Sequence, residues 1–155
     1  MTAPHSSPAS LDEAARVEAV IAAMRGGGHR ITRDRRVIVQ ALVASSGHLS
    51  VDDVVDRIAL DHPEVHAATV YRTVDALEQL GLLYHVHLGH GAARWHLADD
   101  PHHHLYCQGC GAVIEVDDET VVPLAALVEE RHGFVIDQRH FALVGRCSKC
   151  VASDS

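Results

Sequence analysis

The chain has 155 residues and a net charge of −8, with fourteen histidines and four cysteines. That length suits one domain or two small ones. No stretch approaches the ~20 apolar residues of a membrane helix, and Met1 to Ser10 lacks the basic start and apolar run of a signal peptide. A cytoplasmic protein with no membrane partner is expected, and with aromatics at only 4% its core must be aliphatic.

The acidic total hides an uneven distribution. Residues 1–98 hold nine Arg against eleven Asp/Glu, net −2, whereas residues 99–155 hold four Arg/Lys against ten Asp/Glu, net −6. Arg25, Arg30, Arg33, Arg35 and Arg36 crowd together with only Asp34 opposing them. Such a cluster can neutralise phosphates, and on charge alone it is more simply a solvated helix face. Its place in the fold must decide.

After a tail at residues 1–10, Ser10-Leu11-Asp12-Glu13 has the form of a capping box, opening a helix that Gly26-Gly27-Gly28 ends. Thr32 caps a second helix, with Val37, Ile38, Ala41 and Leu42 at helical spacing. Ser50 and Asp53 cap a third, which Asp61-His62-Pro63 breaks. A fourth spans about Ala68 to Leu80, with Val70, Val74, Leu77 and Leu80 inward and Gly81 as its stop. Leu82 to Leu88 and Ala93 to Leu97 read as two strands around the turn Gly89-His90-Gly91. Helices followed by a hairpin predict a winged helix-turn-helix DNA-binding domain over 11–98, whose last helix enters the major groove.

Asp99-Asp100-Pro101 marks a hinge at 99–101. Beyond it, His104-Tyr106, Val113-Val116, Phe134-Ile136 and His140-Val144 read as strands, and Thr120 to His132 as a helix ended by Gly133. The whole is an α+β chain with a small C-terminal α/β domain over 102–150 and a tail at 151–155. So small a unit has a thin core, and a metal and a partner subunit would stabilise it.

The metal is written in the cysteines. Cys107-Gln108-Gly109-Cys110 and Cys147-Ser148-Lys149-Cys150 are two CxxC pairs. Each turn can present two thiolates to one ion, and together they complete a tetrahedral shell of the structural zinc type. Disulfides would need an oxidising compartment, and a redox CxxC would leave one pair idle.

Ala68-Thr69-Val70-Tyr71-Arg72-Thr73-Val74, the run His102-His103-His104-Leu105-Tyr106-Cys107-Gln108-Gly109-Cys110, and the basic segment from His29 to Arg36 resemble signatures of the ferric uptake regulator (Fur) family, in the family's order. The resemblance covers roughly residues 15 to 150 and implies a homodimeric, metal-activated repressor that binds palindromic double-stranded DNA operators. The hairpin, Leu82 to Gly91 followed by Trp95-His96-Leu97-Ala98-Asp99, is most similar to the nickel-responsive Nur branch. The regulatory ion is then Ni2+, with Zn2+ or Fe2+ as alternatives.

Strand alternation puts His85 and His87 on one face, and likewise His102 and His104, with His103 turned away. The resemblance implies that His102 and His104 join His48 and His96 in an interdomain site. It also implies a second site of His85, His87 and His140, with His90 as a further candidate. Imidazole shells suit nickel, zinc, copper and iron better than manganese. The histidine run is one residue shorter than the family's, and Asp100 and Pro101 stand where ligands are expected. Whether Asp100 substitutes for a histidine is left open. Arg33 occupies a position that is often proline in the family.

For DNA, Thr69, Tyr71 and Arg72 fall on the groove-facing helix, with Arg30, Arg33 and Arg36 placed for phosphates or the minor groove. The bland alternative packs Tyr71 inside and pairs Arg72 with Asp75. An enzyme is not expected: a zinc hydrolase would need an open metal position and a general base, and the chain has no HExxH. A histidine-rich metal store would not need a capped Thr69-Val70-Tyr71-Arg72 helix beside an arginine cluster.

Overall fold

The computed structural model describes residues 13–45, 49–88, 93–99, 102–138 and 141–153. The expected ligands His48, His90 and His140, together with Asp100 and the capping box before Glu13, lie outside these residues. The chain divides into two compact units, residues 1–83 and 84–155. No helix among the described residues is long and apolar enough to cross a membrane.

The first unit is helical: α1 (Glu13–Gly26), α2 (Arg33–Ala44), α3 (Val51–Asp61) and α4 (Ala67–Gln79). On α1, Val17, Val20, Ile21 and Met24 are buried, a three- and four-residue spacing that draws one stripe along the helix. Thr32 caps α2 as expected, its side chain accepting from the Arg35 N–H. The buried stripe of α2 is Ile38, Val39, Leu42 and Val43. It is turned one position from the expected Val37, Ile38, Ala41 and Leu42, because every residue from 37 to 39 is apolar and β-branched and the pattern alone does not fix the phase. Ser50 and Asp53 form a reciprocal capping box on α3, and such a cap is worth about 1 kcal/mol.

On α4, Val70, Thr73, Val74, Ala76 and Leu77 are buried, and each fully buried aliphatic side chain contributes roughly 1.5–3 kcal/mol. Leu80 is only half-buried, and Gly81 follows with φ +68°, a left-handed turn that ends the helix. Thr73, fully buried, returns its hydroxyl to the Thr69 carbonyl at 2.7 Å, so its burial leaves no stranded donor. The exposed face of α4 carries Ala68, Tyr71, Arg72 and Asp75.

The second unit holds a two-stranded ribbon, β1 (Leu83–Val86) with β2 (Arg94–Leu97), where β1 begins at the last residue of the first unit. It also holds a three-stranded sheet in the order β4-β3-β5, built from β3 (His103–Cys107), β4 (Val113–Val116) and β5 (Ala142–Gly145). β3 runs antiparallel to β4 and parallel to β5. The helices are α5 (Asp118–His132), ended by a left-handed Gly133, and α6 (Ser148–Ala152).

Three features of the second unit depart from the expectations. Tyr84, Val86 and Leu88 are buried as one cluster with Tyr106 and Ala142 packed against it, and this apolar seam joins the hairpin to the later sheet. Phe134 to Ile136 is not a strand; Phe134 and Val135 are 63% and 73% exposed, so β-branched composition there finds no ladder. The short helix α6 follows Cys147 where no helix was expected.

Candidate metal centres and nucleic-acid interface

The four cysteines come from two turns at one end of the sheet unit. Cys107 ends β3 and Cys110 closes the turn after it; Cys147 precedes α6 and Cys150 lies within it. The register Cys107↔Gly145 brings the ends of β3 and β5 side by side, which carries the second pair to the first. All four are free thiols, with their sulfurs within 4.8 Å of one another. Sulfurs about 2.3 Å from a tetrahedral ion lie about 3.8 Å apart, and Cys110 Sγ to Cys147 Sγ is 3.8 Å. The donor set and spacing therefore fit zinc.

The protonation pattern points the same way. The Cys147 backbone N–H donates to Cys107 Sγ at 3.3 Å, and with further backbone donors it brings the Cys107 thiol down to about 6. The Cys147 thiol is also lowered, first by the Cys150 backbone N–H. Cys150 is pushed up to about 12, chiefly by its side-chain hydrogen bond with Cys147. Crowded sulfurs cannot all ionise together unless a cation joins them. Gly109 is sterically required, since a Cβ there would lie 2.9 Å from Cys150 Sγ.

The second constellation is histidine. His96 on β2, His102 just before β3 and His104 on β3 place one ring nitrogen each within 4.8 Å of the others. Their ring centroids lie 4.9 Å (His96–His102), 4.7 Å (His96–His104) and 4.8 Å (His102–His104) apart. His96 and His104 are only 2% and 1% exposed. Tyr84 stacks on His96 at 5.4 Å and 21° between planes, fixing that ring from behind. Nitrogens about 2.0–2.1 Å from one ion are at most about 4.2 Å apart, and ring nitrogens within 4.8 Å of one another are close enough to converge on one metal. Such a site, with water largely excluded, favours a cation that takes neutral imidazoles. His48, the expected fourth member, is outside the described residues, and the three described members all belong to the second unit.

Of the other proposed ligand set, His85 and His87 lie on one face of β1 and its extension, with ring centroids 5.2 Å apart, and Val86 is buried on the opposite face. Trp95 lies 5.1 Å from the His85 ring. His90 and His140 are outside the described residues. His103 turns away from His102 and His104 and is buried there rather than lying on the surface. It is 6% exposed and its Nε2 lies 2.9 Å from Asp118 Oδ1, tying β3 to the first turn of α5. Nothing local in the sequence marks that pair, since an acid at a helix start reads simply as a dipole partner.

On the helical unit, Tyr71 is 44% exposed and Arg72 is exposed, so neither packs inside. Arg72 Nε donates to the Ala68 carbonyl at 3.0 Å. The Tyr71 hydroxyl donates to Asp52 Oδ1, which raises the Tyr71 phenol above its ordinary value. Thr69 is half-buried on the same helix. Among the arginines, Arg36 donates to Glu18 and lowers that carboxyl, Arg33 lies 3.8 Å from Glu64, and Arg30 lends its carbonyl to Arg35 Nη1 at 2.7 Å. The Asp52 contact was not anticipated; an acid in the first turn of a helix reads simply as a dipole partner.

A family model described as the ferric uptake regulator family matches residues 26–144. The chain belongs to the ferric uptake regulator family. It is 31% identical over 130 residues to the ferric uptake regulation protein of Campylobacter jejuni, covering 82% of this chain and 83% of that one. It is 29% identical over 140 residues to the ferric uptake regulation protein of Bacillus subtilis, covering 87% and 94%. The structure of the ferric uptake regulator from Pseudomonas aeruginosa with manganese superposes with a TM-score of 0.67 at 31% identity, covering 83% of this chain and 97% of that chain. The Fur-family α+β fold, a helical N-terminal part followed by a sheet unit with a four-cysteine cluster, is thereby established. These relatives are regulators rather than enzymes.

Proposed function

We propose that this Fur-family protein is a metal-activated transcriptional repressor that binds palindromic operators as a homodimer and responds to nickel. The observation that carries the reading is the buried convergence of His96, His102 and His104 beside a separate four-cysteine cluster. One cluster serves structure, with Cys107, Cys110, Cys147 and Cys150 holding zinc. The other serves sensing, with His48 as its further ligand. When bound, the regulatory ion supplies a positive centre that draws imidazoles from different strands into one arrangement. It favours the DNA-binding state only through its higher affinity for that state.

The chain's own residues do the rest. Residues 11–98 form the DNA-binding part and residues 102–150 the dimerising part, acting in the cytoplasm. Two copies of α4 would read two half-sites at matched spacing, with Thr69, Tyr71 and Arg72 toward the groove. Arg30, Arg33 and Arg36 meet phosphates, Arg33 and Arg36 exchanging their carboxylate partners to do so.

The all-imidazole trio suits nickel, zinc and iron alike; nickel is preferred among them for the His85/His87 pair on a hairpin that resembles the nickel-responsive branch, with His140 and His90 completing a second regulatory site. A second reading, response to iron, is favoured by the two relatives named as ferric uptake regulation proteins. The test is duplex selection from a random pool by zinc-loaded protein, titrated separately with nickel, zinc and ferrous iron. Enrichment of a palindrome at nickel concentrations where the other ions fail is expected. Enrichment with iron or zinc alone would reassign the sensor, and no metal-dependent enrichment would remove the repressor reading.

A further inference from the structure

The hydrogen bond between Tyr71 and Asp52 places a carboxylate where a DNA-facing surface would ordinarily exclude one. Asp52 stands in the first turn of α3, and its neighbour Asp53 already serves that helix start: it accepts from the Ser50 backbone at 2.9 Å and returns the capping box. Asp52 instead reaches across to α4 and accepts the Tyr71 hydroxyl hydrogen bond. Both side chains are exposed, and Tyr71 shares the outer face of α4 with Ala68, Arg72 and Asp75.

A phenol has one proton to give and lone pairs to receive. With that proton directed to Asp52, the Tyr71 oxygen meets any further partner as an acceptor, beside the apolar ring. Phosphate oxygens, thymine O4 and guanine O6 and N7 are all acceptors and find no donor there. The carboxylate beside the phenol also repels phosphate. Adenine N6 and cytosine N4 are donors in the major groove, and only the A·T pair adds a methyl group to meet the ring.

We propose that Asp52 is a positioning residue that sets base preference: it holds Tyr71 as an acceptor and apolar surface, selecting an A·T pair and disfavouring phosphate. This rests on the reading of α4 as the groove-facing helix and adds the residue that decides what α4 reads. In this arrangement an acid raises specificity by lowering affinity for everything else.

The experiment measures fluorescence anisotropy of the metal-loaded full-length protein on its selected palindrome and on an unrelated duplex at fixed salt. Wild type, Asp52→Ala, Asp52→Asn, Tyr71→Phe and the Asp52→Ala/Tyr71→Phe double variant are compared. Asp52→Ala is expected to tighten binding to the unrelated duplex and to lower the operator-to-unrelated affinity ratio by about tenfold, the scale of one base-pair contact. Asp52→Asn, which keeps an acceptor for the hydroxyl, should restore most of the ratio. In the Tyr71→Phe background, Asp52→Ala should leave the ratio where Tyr71→Phe alone puts it.

Replacing operator adenines one at a time by purine, which lacks the N6 amino group, should reveal one position that weakens wild type but not Tyr71→Phe. An unchanged ratio in Asp52→Ala, or an equal loss from Asp52→Ala whether or not Tyr71→Phe is present, would overturn the proposal while leaving the repressor reading intact. A wild type with no duplex preference would overturn the repressor reading and this inference with it.

Discussion

The cysteine cluster and the histidine trio sit in the same unit and are built in opposite ways. Each cysteine pair is made by one short turn, so two pieces of local geometry need only a single strand pairing, β3 with β5, to meet. The trio draws on β2, the start of β3 and β3 itself, and its closeness depends on the apolar seam of Tyr84, Val86 and Leu88 against Tyr106 and Ala142. Cys110 and Cys147 have their sulfurs at tetrahedral spacing, 3.8 Å apart, and the trio brings one ring nitrogen from each histidine within 4.8 Å of the others. A site made of turns is suited to holding an ion permanently. A site made by packing is suited to responding to one, because its ligands sit on separate segments that an ion would tie together.

The largest break in that contrast should come from Cys147→Ser. Structural zinc contributes about 10–16 kcal/mol in small zinc domains, so this variant should lose its zinc and the folded sheet unit together. Metal analysis and near-ultraviolet circular dichroism would check it, and retention of a folded unit without zinc would erase the distinction. His104→Ala should leave the cysteine-bound zinc in place. It should weaken the regulatory ion by more than about 100-fold, beyond what loss of an outer partner costs; isothermal titration with the zinc retained reads it.

Acidity sharpens the comparison further. Near neutral pH the Cys107 thiol, at about 6, is mostly ionised, while Cys150, at about 12, keeps its proton until an ion displaces it. Zinc affinity at the cysteines should therefore rise about tenfold per pH unit for each proton released. Competition with a chelator across about pH 6.5 to 8.5, spanning the ordinary thiol range and corrected for the chelator's own titration, tests this; a flat profile would contradict it. The smallest effect belongs to the helical unit: Ser50→Ala removes one half of the α3 capping box and should cost about 1 kcal/mol in urea unfolding, with both metal affinities unchanged.

What could be read beforehand divides along the same line. Thr32 and the Ser50/Asp53 box announced helix starts because a cap is a local event, and Gly81 and Gly133 announced ends for the same reason. The CxxC pairs announced their cluster because spacing alone fixes each half. Alternation also put His102 and His104 on one face and His103 on the other, where it is buried against Asp118. The hairpin's attachment to the later sheet was not legible, since it depends on which apolar surface Tyr84 and Val86 find, a matter of tertiary packing. Nor was the role of Asp52 or Asp118, each an acid in the first turn of a helix that the chain uses to hold a side chain from another element.

The central claim, that the histidine trio converts metal into DNA binding, is tested most directly by one pair of titrations. Zinc-loaded protein would be titrated onto its selected palindrome with and without nickel, as wild type and as His104→Ala. The account predicts that nickel tightens wild-type binding by about 100-fold, within the range of allosteric coupling, and leaves His104→Ala unmoved. Equal tightening of both proteins, or none of wild type, would contradict it.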